Sequence, residues 1–440
     1  MAVARTDVVA EARVEAAGRD WGAFVCVLAR GLVSAGLLWA VCSVGWITMG
    51  EWYARQRTEE SLARAIGWDP TNATHYAARA RALQDSIGSG EAEEVVRLWE
   101  TAVRLNPNRA TWWAELGGAY EWTGRTDDAV RAFEKARELF PRSPEINWKL
   151  GNLYLRAGRS AEALEALRRV LGSDPERGRG VFDLAWRAGF ENRVILDRLI
   201  PANSKALMAY LGFLVETKRV GSAKEAWARL VAGGQRFPAR AAFPYLDALI
   251  QEGESEELRR AWRIVEEQMP GSGRGLTDGR NEITNGGFEG AMLNGGLDWR
   301  VIPAEGVRVS IDSVEFFDVT KSLRIDFDGR QNLAYSHVLQ FVPVKPNTAY
   351  QLLAYVRGQG ISSNSGPRIE IYDNGDRGRL FLSTADIRGA TGWVSRSVSF
   401  RTSGETRVLV VRVARPASTS LDGRIGGTVW IDRVSLRAVE

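Results

Sequence analysis

Cysteine and histidine are nearly missing from this chain of 440 residues, which has two of each. Cys26 and Cys42 both lie in an apolar N-terminal stretch. No disulfide can therefore staple the remainder, a condition compatible with either side of a membrane. His75 and His337 are far apart and fall in segments of different pattern, which argues against a zinc site or a histidine-based triad. The chain has no phosphate-binding Gly-rich loop, no Gly-x-Ser-x-Gly elbow and no Cys-His pair. Paired carboxylates can hydrolyse glycosides, but nothing singles out a pair. The net charge of +4 is small for this length. Arginine far outnumbers lysine yet is spread along the chain, which disfavours a nucleic-acid partner. These absences predict a protein that is not an enzyme and requires no cofactor.

A long hydrophobic run is present. Gly31 to Met49 holds nineteen residues without a charge. As a helix it spans about 28 Å, enough for a bilayer core. Trp21, Trp46 and Trp52 lie near its ends, where indoles favour the interface. The long, acid-containing segment before it and the lack of a small-x-small cleavage site speak against a signal peptide. Four arginines precede the span and three follow it closely, which slightly favours an inside N-terminus. The expectation is a polar cytoplasmic tail over 1–20, a transmembrane helix over 21–50, and everything after it outside the cytoplasm.

A spacing then repeats. Trp113, Leu116, Gly117, Tyr120, Ala129, Phe133, Ala136 and Pro141 are matched thirty-four residues later by Asn147, Leu150, Gly151, Tyr154, Ala163, Leu167, Val170 and Pro175. A fixed period of this length means stacked helix pairs. The segment resembles the tetratricopeptide repeat family. The two units 110–143 and 144–177 carry its pattern with few departures. Apolar residues recur at three and four from 51 to 270, so this whole stretch reads as a helical solenoid. Helices are expected at 72–86, 178–188, 191–199, 204–217, 221–232, 240–252 and 255–268. By resemblance to peptide-binding repeats, Trp148, Asn152 and Arg156, at four-residue spacing, and Glu121 on the preceding unit are the candidate partner-binding residues. The alternative is that Trp148 is packed and the others are solvated.

Residues 271–281 form a Gly-rich polar linker without periodicity. Beyond it the period changes to two. Strands are expected at 322–327, 336–344, 348–358, 367–373, 393–401, 406–414 and 427–436, and 282–440 suffices for eight or nine strands in two sheets. This region resembles the galactose-binding-like jelly rolls, especially the carbohydrate-binding modules attached to xylanases. The marks are Asn285-Gly-Gly-Phe-Glu289, Asp298-Trp299 and Trp430-Ile-Asp-Arg-Val-Ser-Leu436. In that family the opening acid and the aspartate of the last strand often help to hold a structural calcium. The matching residues are Glu289 and Asp432, so the resemblance implies a calcium site; the alternative is surface or turn-capping carboxylates.

Alternation along the strands predicts which side chains face outward. With Tyr350, Leu352, Ala354 and Val356 inward, Tyr355 and Arg357 point out. With Ile369 and Ile371 inward, Glu370 and Tyr372 point out, and Arg412 does so on the 406–414 strand. Rings stack on sugar faces while Arg and Glu bond hydroxyls. Tyr355, Arg357, Glu370, Tyr372 and Arg412 are therefore the candidate carbohydrate-binding surface, or else an ordinary polar outer face.

The architecture expected is multidomain, α followed by all-β: one transmembrane helix, a tetratricopeptide α-solenoid and a C-terminal antiparallel β-jelly roll. The function expected is a scaffold in the bacterial cytoplasmic (inner) membrane. It binds a protein partner through its repeats and a polysaccharide or glycan through its jelly roll, in surface polysaccharide assembly, export or retention. The alternatives are a purely protein-binding scaffold with a structural jelly roll, and an unrecognised glycan-active enzyme.

Overall fold

A computed structural model of the chain describes residues 4–85, 91–269, 281–421 and 423–439. Helix α1 runs unbroken from Ala4 to Ala54. The polar segment expected as a tail is thus helical from Ala4 onward, in keeping with its alanine, glutamate and arginine content. The part Arg30–Ala54 is long and apolar enough to cross a membrane. Its apolar side chains, such as Leu32, Leu38 and Trp39, stand exposed.

The chain divides into two units, Met1–Pro175 and Glu176–Glu440. In the first, α1 leads into α2 (Glu59–Trp68), α3 (Ala73–Asp85), α4 (Ala92–Leu105), α5 (Ala110–Trp122), α6 (Thr126–Leu139), α7 (Pro144–Arg156) and α8 (Ser160–Ser173). The end of α1 is seated on the helices that follow. Gly50 is buried, and a Cβ there would lie 3.1 Å from the His75 ring and 3.3 Å from Asp69 Cβ. Four residues then connect α1 to α2, whose start is fixed by a capping box between Thr58 and Ser61.

The thirty-four-residue period has a physical basis in each pair. A Cβ on Gly117 would sit 2.6 Å from the Phe133 ring, and one on Gly151 2.8 Å from Leu167. Glycine lets the two helices approach over a large side chain. Tyr120 donates to Glu100 Oε1 (2.7 Å) and Tyr154 to Glu134 Oε1 (2.6 Å). Arg125 and Arg159 lie over those two rings, at 4.4 and 4.5 Å. Asn147 departs in type from its counterpart Trp113 but makes the same bond. Trp113 Nε1 donates to the Pro107 carbonyl (2.8 Å) and Asn147 Nδ2 to that of Pro141 (3.0 Å).

The second unit begins with α9 (Gly178–Arg187) and α10 (Asn192–Val194), which continues as a π-turn over Ile195–Leu199. It goes on through α11 (Ser204–Glu216), α12 (Val220–Ala232), α13 (Phe243–Glu252) and α14 (Ser255–Glu267). The linker expected at 271–281 lies, except for Asn281, outside the described residues.

Ten strands follow: β1 (Arg300–Val301), β2 (Val307–Asp312), β3 (Ser322–Asp328), β4 (Tyr335–Pro343), β5 (Ala349–Ile361), β6 (Arg368–Asp373), β7 (Phe381–Ser383), β8 (Gly389–Arg401), β9 (Val408–Arg415) and β10 (Gly426–Ala438). They form two antiparallel five-stranded sheets, β2-β3-β10-β5-β8 (the first sheet) and β1-β4-β9-β6-β7 (the second). The count exceeds the eight or nine expected because β1 and β7 are too short to show alternation. Between the sheets lie Phe288, Trp299, Leu323, Ile325, Tyr350, Leu352, Ile371, Val411 and Ile431. The Asn285–Glu289 motif closes one edge. Val434 N donates to Gly286 O (2.8 Å), an approach so close that a side chain at 286 would strike Val434 O.

The last helical pair packs directly on this sandwich. Arg259 donates to Glu282 Oε2 (2.5 Å) and to the Pro343 carbonyl (2.6 Å). Arg300 pairs with Asp247, and Asn374 Nδ2 donates to the Ile250 carbonyl (3.3 Å). The Phe243 and Trp262 rings press on Gly295 and Gly296, where no side chain would fit.

Candidate functional site

In the repeats, the expected partner-binding residues engage one another. Glu121 pairs with Arg156, and Lys149 Nζ lies 3.5 Å from its other oxygen. Burial pushes the Glu121 carboxyl up, but the hydrogen bond from Arg156 and the charge of Lys149 bring it below its ordinary value. Asn152 Nδ2 donates to the Trp148 carbonyl (2.9 Å), and Trp148 is half-buried. A ligand on this stripe would have to exchange these bonds for its own.

The five residues expected to form one carbohydrate surface fall on two. Tyr355 and Arg357 are on β5 of the first sheet, whereas Glu370, Tyr372 and Arg412 are on β6 and β9 of the second. Alternation gives the inward phase correctly, and Tyr350, Leu352, Ala354, Val356, Ile369, Ile371, Leu409, Val411 and Val413 all line the core. It carries no information on which sheet a strand joins.

On the second sheet Glu370 opposes Arg412 across the β6–β9 register. One Glu370 oxygen accepts from Arg412 Nε (3.0 Å) and Nη2 (2.7 Å), and the other from Arg368 Nε (3.2 Å) and Nη2 (3.0 Å). Glu370 is only 3% exposed. It positions two arginines and has no oxygen left for a sugar hydroxyl, which corrects its expected role as a ligand contact. Beside it, Arg412 lies 5.1 Å from the Tyr372 ring, and Arg377 lies 4.4 Å from Tyr372 and 4.9 Å from Phe381. Arg368 and Arg388 share Asp386 at 3.7 and 3.1 Å. Three arginines thus share two carboxylates, and a fourth, Arg377, has no ion pair among the described residues. Phe381 and Arg377 were not foreseen, because Phe381 is on a three-residue strand and Arg377 in the turn before it. One end of this face is taken by the helices, where Asp247, Ile250 and Gln251 meet Arg300, Phe341 and Asn374 around a cavity of about 150 Å³.

On the first sheet Tyr355 is stacked under Phe317, with centroids 3.7 Å apart and planes 11° apart. Phe317 covers one face of the ring proposed as a sugar platform. Arg357 donates to Glu315 Oε1 (2.6 Å), as does Trp393 Nε1 (3.0 Å).

Glu289 and Asp432 hold the loop between β2 and β3. Glu289 Oε1 accepts from Thr320 N (2.8 Å) and Lys321 N (3.0 Å), and Oε2 from Thr320 Oγ1 (2.5 Å). Asp432 Oδ2 accepts from Phe317 N and Asp318 N (2.9 Å each), and Oδ1 from Arg433 N (2.6 Å). Burial raises the Asp432 carboxyl, and these amides only partly offset it. For Glu289 the hydrogen bonds outweigh burial and lower it. Each of the four oxygens faces a donor, and Lys321 Nζ donates to the Glu289 carbonyl (2.8 Å). Glu289 Oε1 and Asp432 Oδ2 each accept two bonds, which fills the lone pairs a calcium ion would use there. The residues present do not fit the implied calcium and act as turn caps. Among the described residues no group of three or more His, Cys, Asp or Glu could hold a metal.

Residues 122–178 match the family model of the tetratricopeptide repeat, and residues 70–143 that of the bacterial transcriptional activator domain. No curated protein matches the sequence. Among solved structures, MamA is similar at 15% identity over 40% of this chain and 86% of its own, with a TM-score of 0.27. TmCBM61, solved in complex with β-1,4-galactotriose, is similar at 20% identity over 36% of this chain and 99% of its own, with a TM-score of 0.26. The CBM22-1 xylan-binding domain of Paenibacillus barcinonensis Xyn10C is similar at 16% identity over 32% and 86%, with a TM-score of 0.23. The chain joins helical repeats of the tetratricopeptide type to an antiparallel β-jelly roll.

Proposed function

We propose that this protein is a non-catalytic scaffold that holds an acidic glycan on the second sheet and a protein partner on its helical repeats. The observation that carries the glycan reading is the placement of Arg377 over both Tyr372 and Phe381, with Arg412, fixed by Glu370, over Tyr372. Rings supply a stacking surface and Arg377 supplies a bidentate donor for a carboxylate. Helix α1 anchors the protein in the bacterial cytoplasmic membrane with the sandwich outside. Its exposed apolar surface supports this reading, and the role is in surface polysaccharide assembly, export or retention.

The test is a glycan array probed with the full chain in detergent. Acidic polysaccharides should bind and lose affinity with salt. Loss of Arg377 and Phe381 removes a charge and a ring, each worth about 1 kcal/mol, so R377A and F381A together should weaken binding by at least about tenfold. Absence of binding to any acidic glycan would sink the proposal. A reporter fused after Glu440 should be active only outside the cytoplasm. A second reading, the sandwich as a structural cap for the helices, is favoured by the Arg259, Arg300 and Trp262 contacts. It predicts no glycan binding by the unaltered chain, and partner capture unchanged by both variants.

A further inference from the structure

The loop between β2 and β3 is an unusual piece of surface. Val314, Phe316, Phe317 and Val319 are all exposed on it, Val314 at 88%. Exposed apolar loops are ordinarily mobile, and this one is fastened at three places. Asp312 Oδ1 accepts from the amides of Val314 and Glu315, Asp432 Oδ2 from those of Phe317 and Asp318, and Glu289 Oε1 from those of Thr320 and Lys321. Three carboxylate oxygens each take two successive amides, three residues apart. Glu315 adds its bonds to Arg357 and Trp393. The entropy of ordering the loop is met within the fold, so a ligand that meets these rings does not have to supply it.

Beside the loop, on the outer face of the first sheet, lies a groove of about 540 Å³, in the size range of small-ligand sites. It runs over β5 and β10 where the β10 register jumps between Asp432 and Ser435. Arg433 occupies that bulge with a φ of 48° and pairs with Asp318 at 3.3 Å. A positive φ at an arginine is uncommon, and bulges of this kind re-aim side chains. Gln351, Leu353, Ser435 and Tyr355, its one aromatic residue, also line it, beside Glu289 and Arg437. The chemistry is amide, hydroxyl and guanidinium against one aromatic wall, with the Asp318–Arg433 pair balanced in charge.

We infer that this groove is a second saccharide site, for a short neutral glycan segment set against Tyr355 and hydrogen-bonded by Gln351 and Ser435. It lies on the sheet opposite the acidic-glycan face, so one sandwich bridges two glycan chains. The inference stands whether or not the acidic face binds.

The experiment uses the full chain in detergent on an array of neutral xylan, mannan, galactan and glucan oligosaccharides beside uronic-acid-containing ones. Y355A and Q351A should each weaken neutral-glycan binding by at least tenfold, with little salt dependence, and leave acidic-glycan binding unchanged. R377A should do the reverse. Gln351 is exposed, so Q351A separates lost contact from misfolding. Neutral-glycan binding unaltered by both Y355A and Q351A overturns the inference. So does the absence of neutral-glycan binding by the unaltered chain, even if acidic glycans bind.

Discussion

Gly117 and Gly118 are neighbours on α5 and should respond to alanine in opposite directions. At Gly118 a Cβ meets nothing within 4 Å. Alanine there gains about 0.5–1 kcal/mol from reduced freedom of the unfolded chain. At Gly117 a Cβ falls 2.6, 2.7 and 3.0 Å from three atoms of the Phe133 ring. That ring is itself buried at 3% exposure and cannot swing away without disturbing its neighbours. Overpacking of this kind costs about 1–3 kcal/mol, so after the helix-propensity gain G117A should be destabilised by about 1–2 kcal/mol. F133A alone should cost about 3–5 kcal/mol. The double variant should recover most of the G117A penalty, because the added methyl then enters the space left by the ring. Leucine at 133 should not relieve it, since Leu167 stands only 2.8 Å from a Cβ on Gly151. Denaturant unfolding of the four proteins, followed by circular dichroism, gives the cycle. If G117A proved as stable as G118A, close approach of the paired helices would not be what fixes the repeat.

Asp312 should make the sandwich sensitive to acid. Burial pushes its carboxyl up, but hydrogen bonds from Trp430, the amides of Val314 and Glu315, and Arg324 outweigh it and hold it at about 2. A carboxyl lowered on folding contributes stability that is complete above about pH 4 and lost as pH falls through about 2, roughly 2 kcal/mol in all. D312N should flatten the stability profile in that window, and an unchanged acid profile would refute the assignment. Because Glu289 and Asp432 face N–H and O–H donors, the thermal midpoint should move by less than about 1 °C between calcium and chelator, whereas resident calcium would raise it by several degrees. At the junction, Gly296 lies against the Trp262 ring. G296L should release α13 and α14 from the sandwich, seen as faster amide exchange at Phe243–Glu267, and unchanged exchange would refute the packing.

Much of this fold is written in local pattern. The thirty-four-residue period locates α5 to α8 because each unit reuses one set of contacts, down to Asn147 replacing the hydrogen bond of Trp113. Strand phase is equally legible, since Tyr350, Leu352 and Val356 must reach one core. Sheet membership is not. It is decided by pairings such as β5 with β10, where Trp430 meets Arg357 and Ala438 meets Tyr350, and it separates Tyr355 from Tyr372. The docking of α14 is hidden for the same reason. Arg259 and Trp262 read as ordinary helix positions until Pro343 and Gly296 arrive from the sandwich. Phe317 was invisible because it sits in a loop whose order comes from carboxylates on other segments.

The seating of Gly50 against His75 has a mechanical meaning. A hinge between a membrane helix and its cargo lets each turn independently, as a swivel does. Here the shaft of α1 meets its bearing with no slack, and only four residues separate it from α2. Were α1 in a bilayer, as proposed, a change in thickness that tilts or twists the shaft would reach the first repeats as torque. The joint would then pass the state of the membrane to the partner proposed for the repeats.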